Sequence, residues 1–121
     1  MIEGLIKIAE EAANKTDHKQ RVGAVIFKGK RIISVGRNYK SRSLRRVTPG
    51  MQRYPTSVHA EMDAIIKAKT DLKGYNILVV RINSFGQMRL AKPCDHCYTY
   101  IKHVGLRHIY YSTNDGIVEY I

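Results

Sequence analysis

Acidic residues are scarce in this chain. Ten Asp and Glu stand against 21 Lys and Arg in 121 residues, a formal net charge of +11. None of the ten falls between Asp17 and Glu61. Cysteine is scarcer still, with two, so the core has to hold without disulfide staples. A single domain over residues 1–121 can do so, because at this length roughly two-thirds of the unfolded surface is buried on folding. No apolar run approaches the ~18–20 residues of a membrane-spanning helix, which excludes membership of that class and any membrane partner of that kind. The start, Met1-Ile2-Glu3-Gly4-Leu5, lacks the basic residues and apolar stretch of a secretory signal, so a cytoplasmic or equivalent reducing compartment is expected. Repeats, linkers and low-complexity tracts are also missing. With 44% hydrophobic residues, the chain reads as folded rather than disordered.

What is present is a block of positive charge. The acid-free stretch 18–60 holds Lys19, Arg21, Lys28, Lys30, Arg31, Arg37, Lys40, Arg42, Arg45, Arg46 and Arg53. The remaining basic residues are matched in number by the acids, so the whole net charge belongs to one third of the chain. Such a block is either a solvated, solubilising surface or a surface for phosphate or nucleic acid, and composition alone does not choose.

Hydrophobic spacing orders the rest. Ile2, Leu5, Ile6, Ala9, Ala12 and Ala13 predict a helix over 2–14. Residues 21–27 and 31–36 read as strands joined at Lys28-Gly29-Lys30, a hairpin. Residues 37–57 are mostly basic and without periodicity, a long loop. A helical pattern runs over 58–69 and a strongly apolar strand over 76–81. After an irregular stretch at 82–92, Pro93 opens a helix over 94–104, with Gly105 as its stop. Residues 106–112 form a strand, Asn114-Asp115-Gly116 a tight turn, and 117–121 a last strand. The order α-ββ-α-β-α-β-β implies a sheet with helices packed on its faces.

Two short motifs carry chemistry. Cys94-Asp95-His96-Cys97 follows Pro93; alone, such a CxxC is a redox pair, half a metal site, or chance. His59-Ala60-Glu61 opens the preceding helix; alone, a histidine there is most often a surface or capping residue. Together they fit one task. Zinc takes about four tetrahedral N or S ligands, and a catalytic site keeps one position for water. His59, Cys94 and Cys97 supply three. Cys94 and Cys97 stand at i and i+3, hence on one helix face, and the positive end of a helix favours thiolate over thiol. If the two helices lie side by side on the sheet, His59 completes the set. Glu61, two residues on, can reach a water whose pKa the metal lowers from ~16 toward 7.

With these residues the chain resembles the cytidine deaminase-like superfamily, above all its CMP/dCMP-type (deoxycytidylate) branch. A His-x-Glu followed by Pro-Cys-x-x-Cys is the recorded signature of zinc deaminases, in which His and two Cys bind the metal and Glu acts as a non-ligand acid/base. Arg21-Val22-Gly23-Ala24-Val25-Ile26 resembles the family's first-strand motif, and Gly36-Arg37-Asn38 its Gly-x-Asn. Gly105-Leu106-Arg107-His108-Ile109-Tyr110-Tyr111 resembles the fourth-strand motif. The resemblance implies a three-layer α/β/α sandwich around a five-stranded mixed sheet, one catalytic Zn2+ per chain, and assembly into a homo-oligomer. It implies hydrolytic deamination of cytosine in a nucleotide or nucleoside, CMP or dCMP favoured, by a zinc-activated hydroxide attacking C4 with Glu61 as proton shuttle. It places Asn38 on the sugar and the main chain of Ala60 on the base. Two departures stand out: Asp95 occupies a position where the family often has Pro, and residues 37–57 contain no Cys or His for a second zinc.

Arg42, Arg45, Arg46 and Arg53 are candidate phosphate or nucleic-acid contacts, with solvated loop arginines as the alternative. Tyr54 is a candidate for stacking on the base or, equally, an anchor of its loop. His18, His96, His103 and His108 are given no ligand role. Two other functions remain: a deaminase acting on a base within RNA or single-stranded DNA, and a zinc-stabilised binding module without turnover. Glu61 speaks against the module, because zinc does not need it as a ligand.

Overall fold

The structure, a computed structural model, describes residues 2–16, 20–40 and 57–120. Helix α1 spans Ile2–Asn14, and its predicted stripe is real: Leu5, Ala9, Ala12 and Ala13 are buried. Strands β1 (Arg21–Lys28) and β2 (Arg31–Arg37) form the expected hairpin. Then come β3 (Tyr39–Lys40), β4 (Ser57–Val58), α2 (Ala60–Ala68), β5 (Asn76–Ile82), β6 (Met88–Arg89), α3 (Asp95–His103), β7 (His108–Thr113) and β8 (Gly116–Glu119).

The main sheet runs β2-β1-β5-β7-β8, with β6 paired to the end of β5. It is mixed: β5 and β7 are parallel, as a crossover through α3 requires, and the other pairs are antiparallel. β1 and β5 are buried on both faces, which is why they read as unbroken apolar runs. Val25, Phe27, Leu78 and Val80 pack under α1. Ala24, Ile26, Ile77 and Val79 point to the opposite face, against Ala60, Ala64 and Ile65 of α2 and Ile101 of α3. The result is the expected α/β/α sandwich, with α2 and α3 together on one face.

Two expectations need correction. The sheet has the five predicted strands plus a sixth, β6, inside the stretch read as irregular. Its turn is built by Asn83, whose Oδ1 accepts from Phe85 N and Gln87 N, both at 2.9 Å. Gly86 adds the left-handed backbone that the turn needs (φ 79°). The stretch 37–57 is not wholly loop, because its two ends pair as β3 and β4 in a small separate sheet. Among the described residues, no helix is long and apolar enough to cross a membrane.

Helix α2 sits unusually close to β2. A Cβ on Gly36 would overlap Ala64 N and Ala60 O, so only glycine permits the approach. Two hydrogen bonds fix it: Ser34 Oγ donates to Ala64 O (2.7 Å), and Asp63 Oδ2 accepts from Arg37 N (3.0 Å). The start of α2 is thereby held at the end of β2.

Candidate active site and metal centre

His59 is the N-cap of α2, in extended conformation (φ −74°, ψ 150°). Its carbonyl accepts from Asp63 N (3.0 Å), while its side chain caps nothing on its own helix. The ring turns toward α3 instead, and Nδ1 lies 3.1 Å from Cys97 Sγ. Cys94 is the N-cap of α3 rather than a residue of its first turn; its Sγ accepts from Cys97 N (3.5 Å). The two sulfurs are thus brought together not as two residues of one helix face but as a cap and the third helical residue, joined by a capping bond.

One donor atom each from His59, Cys94 and Cys97 lies within 4.8 Å of the others. Tetrahedral zinc with Zn–S of about 2.3 Å and Zn–N of about 2.0 Å separates its ligand atoms by about 3.5–3.8 Å, so the cluster is already near that size. Both cysteines are thiols rather than a disulfide. One imidazole and two thiols is a donor set used by catalytic zinc. The chemistry of these residues fits the metal.

Glu61 is buried at 5% exposure beside the cluster, its carboxyl in hydrogen-bonding reach of the Cys97 thiol. Burial pushes its pKa up to about 7, against the pull of its own backbone N–H. Burial also pushes the Cys97 thiol up, reinforced by Glu61 and Cys94. A bound cation would reverse the shift, since thiolates are the metal's ligands.

Beside the cluster opens a cavity of about 360 Å³, within the size range of small-molecule sites. His59, Ala60, Glu61 and Cys94 line it from the helix starts. Val22, Val79 and Arg81 line it from the sheet, and Gln20, Asn38, Leu90, Ala91 and Lys92 from the connections. Among the described residues lining it, Glu61 is the only acid.

The expected substrate residues divide into two groups. Ala60 is fully buried at the cavity wall. Asn38 lines the cavity too, and it is also a structural staple: Oδ1 accepts from Val22 N (3.0 Å), Nδ2 donates to Gln20 O, and Thr16 Oγ1 donates to its carbonyl. Each of its amide atoms keeps one further hydrogen-bonding position for a ligand. Arg42, Arg45, Arg46, Arg53 and Tyr54, like His18, lie outside the described residues. His108 pairs with Glu119 (2.9 Å) at the far end of the sheet, away from the cluster.

Three residues escaped the sequence reading. Asp63 anchors α2 to β2 and bridges Lys67 (2.8 Å); its signal was an acid in the first helical turn, where the helix dipole favours one. Arg81 and Lys92 bring positive charge to the cavity from outside the acid-free block. Arg81 was legible only as a charge interrupting an apolar strand, and Lys92 only as the residue before Pro93.

An α/β/α sandwich that brings one imidazole and two thiols together at paired helix starts, with a buried glutamate alongside, defines the class of zinc-binding deaminases. The chain belongs to that family: the model of the cytidine and deoxycytidylate deaminase zinc-binding region matches residues 1–113. It is 34% identical over 97 residues to a protein of Aliivibrio fischeri described as an uncharacterized deaminase in the luxG 3′ region; the match covers 78% of this chain and 59% of that protein. The chain thus spans less than two-thirds of that relative's length. Among solved structures, dCMP deaminase from the cyanophage S-TIM5 is similar, with a TM-score of 0.65 and 22% identity over 90% of this chain and 79% of that one. Cytidine deaminase from Burkholderia pseudomallei is similar as well, with a TM-score of 0.69 and 19% identity over 99% and 91% of the two chains. At these identities the structural matches speak for the fold.

Proposed function

We propose that this protein hydrolytically deaminates cytosine in a nucleotide or nucleoside, CMP- or dCMP-like compounds favoured, giving the uracil product and ammonia. One observation carries the reading. Glu61 is a buried carboxyl that no metal needs as a ligand, placed beside a ready-made three-ligand zinc site at the wall of a cavity. A binding module has no use for such a group. His59, Cys94 and Cys97 would hold the Zn2+, whose contribution when bound is to make a water ionisable at neutral pH.

The chain's own residues do the rest. Glu61 would take the proton of the attacking water and deliver it to the pyrimidine N3, then take the proton of the new C4 hydroxyl, which becomes the carbonyl, and pass it to the departing amine. A carboxyl poised near neutrality is suited to both directions of transfer. The Ala60 main chain, fixed at the first turn of α2, borders the place where the base would sit, and Asn38 offers its remaining amide positions to the sugar. The structure of the cyanophage S-TIM5 dCMP deaminase in complex with dCMP and dUMP is consistent with a nucleotide in a cavity of this fold. A cytoplasmic setting, which keeps the two thiols reduced for the metal, and assembly into a homo-oligomer belong to the same reading.

The test is a substrate panel. Zinc-loaded protein is incubated with cytidine, deoxycytidine, CMP, dCMP and a single-stranded oligonucleotide, and the ultraviolet change from cytosine to uracil is followed. Turnover of a monomer supports the proposal. Uracil appearing only in the oligonucleotide would replace it with the polynucleotide reading.

A further inference from the structure

The cavity carries a positive charge that the zinc chemistry does not use. Arg81 points to the same sheet face as Val79, which lines the cavity beside Ala60. Arg81 as a residue is half-buried, and among the described residues its guanidinium has no ion pair or hydrogen bond. A guanidinium cannot shed its charge, and burying a charge without a partner is costly. The surroundings add to the charge. Arg81 stands directly opposite Arg89 in the β5–β6 pairing, a like-charge pair that is unfavourable in itself.

Ser112 locks this arrangement, since its buried Oγ accepts from Arg81 N (3.0 Å) and donates to Arg89 O (2.7 Å). Lys92 adds a third cation, held 5.0 Å from the centre of the Tyr120 ring, which itself stacks on Tyr98 of α3 at 4.4 Å. Among the described residues the one acid on the cavity wall is Glu61, which lies beside the Cys97 thiol; Asp63 serves Lys67 and Arg37 N, and Glu119 serves His108.

We propose that Arg81, supported by Lys92 on the same cavity wall, is the specificity-determining contact for a phosphate group of the substrate; the Arg89 guanidinium is taken up by Gln87 Oε1 and Met88 O. This rests on the reading of the cavity as a pyrimidine site. Arg81 lies two residues along β5 from Val79, about 6.6 Å at strand spacing. That is a step comparable with the pentose that separates a base from its 5′ phosphate. Arginine's planar fork suits a phosphate's oxygens, and such charge-assisted bonds are among the strongest available. The phosphate is a 5′ monoester in a free nucleotide or a diester in a polynucleotide; the chemistry of recognition is shared.

The experiment measures equilibrium binding of non-reacting product compounds by calorimetry. Deoxyuridine, dUMP and a short deoxyuridine-containing oligonucleotide are titrated into the zinc-loaded full chain, as wild type, Arg81→Gln and Arg81→Lys. The wild type is expected to bind a phosphorylated probe at least roughly 10-fold more tightly than deoxyuridine. Arg81→Gln should weaken that probe by roughly 10- to 100-fold while leaving deoxyuridine unchanged, and Arg81→Lys should recover part of the loss. Tightest binding of dUMP identifies the monoester as the source. Tightest binding of the oligonucleotide, with a steep salt dependence, identifies the diester backbone.

The proposal is overturned if the wild type shows no phosphate advantage, if the advantage survives Arg81→Gln, if deoxyuridine is weakened equally, or if no probe binds. Deoxycytidine turnover scores the reaction separately. Turnover without a phosphate advantage removes the subsite and leaves the deaminase; Arg81-dependent dUMP binding without turnover does the reverse.

Discussion

His59 Nδ1 and Cys97 Sγ lie 3.1 Å apart although 38 residues separate them in the chain. The start of α2 is fastened to β2 through Gly36, Ser34 and Asp63, and α3 is delivered to the same sheet face by the parallel β5–β7 crossover.

The donor cluster predicts one Zn2+ per chain under reducing conditions. His59→Ala, Cys94→Ser and Cys97→Ser should each lower the metal content far below one. Free zinc at about 1,000 times its Kd should stabilise the wild type by about 4 kcal/mol and the variants by much less. Metal analysis paired with thermal melts, with and without zinc, checks both statements.

Glu61 gives the chelator-treated protein a pH signature. In the folded chain its carboxyl stays protonated up to about 7, against an ordinary 4.5 once unfolded. Between those values the folded state holds a proton that the unfolded state has lost. Stability therefore falls as pH rises through this window, by about 3 kcal/mol, and levels off above it. Glu61→Gln should remove that slope, so that its urea midpoint exceeds the wild type's at pH 8 and gains little near pH 4.5.

Gly36→Ala should both destabilise and inactivate. The added methyl overlaps the backbone of α2, so the helix carrying Glu61 must move; the cost is expected at or above the ~1–3 kcal/mol of ordinary overpacking. Gly4→Ala is the contrast. Gly4 lies exposed in α1 with nothing near a new Cβ, and there alanine should add up to about 1 kcal/mol. Denaturant midpoints of the two variants should move in opposite directions.

Ser112 has no solvent exposure, and its hydroxyl joins β5 to β6. Ser112→Ala leaves Arg81 N and Arg89 O short of a partner, at a cost of about 1–3 kcal/mol. Because Arg81 lines the cavity, phosphate binding should weaken more than binding of a nucleoside. Urea melts together with dUMP and deoxyuridine titrations separate the two effects.

α1 and α2 were legible from helical spacing, α3 from Pro93 before it and Gly105 after it, and β1 and β5 as unbroken apolar runs that mark burial on both faces. β6 was not, since two residues carry no period; its evidence lay in the Asn83 and Gly86 turn chemistry. The metal ligands and Glu61 were legible as spaced residue types. That Cys94 is a cap was not, because spacing alone does not separate a cap from a first turn. The charge was misleading in another way. Counting matched ten cations to ten acids along the sequence, yet among the described residues Arg81 and Lys92 form no ion pair, because folding and not chain order decides what faces what.

The central claim is that Glu61 moves protons at a zinc site it does not help to build. The most direct measurement follows the conversion of dCMP by zinc-loaded wild type and Glu61→Gln side by side, with metal content determined on both. Turnover by the wild type, about one zinc in each protein, and a loss of roughly 10²-fold or more in the variant are expected. Wild-type turnover by Glu61→Gln, or loss of its zinc, would contradict that claim.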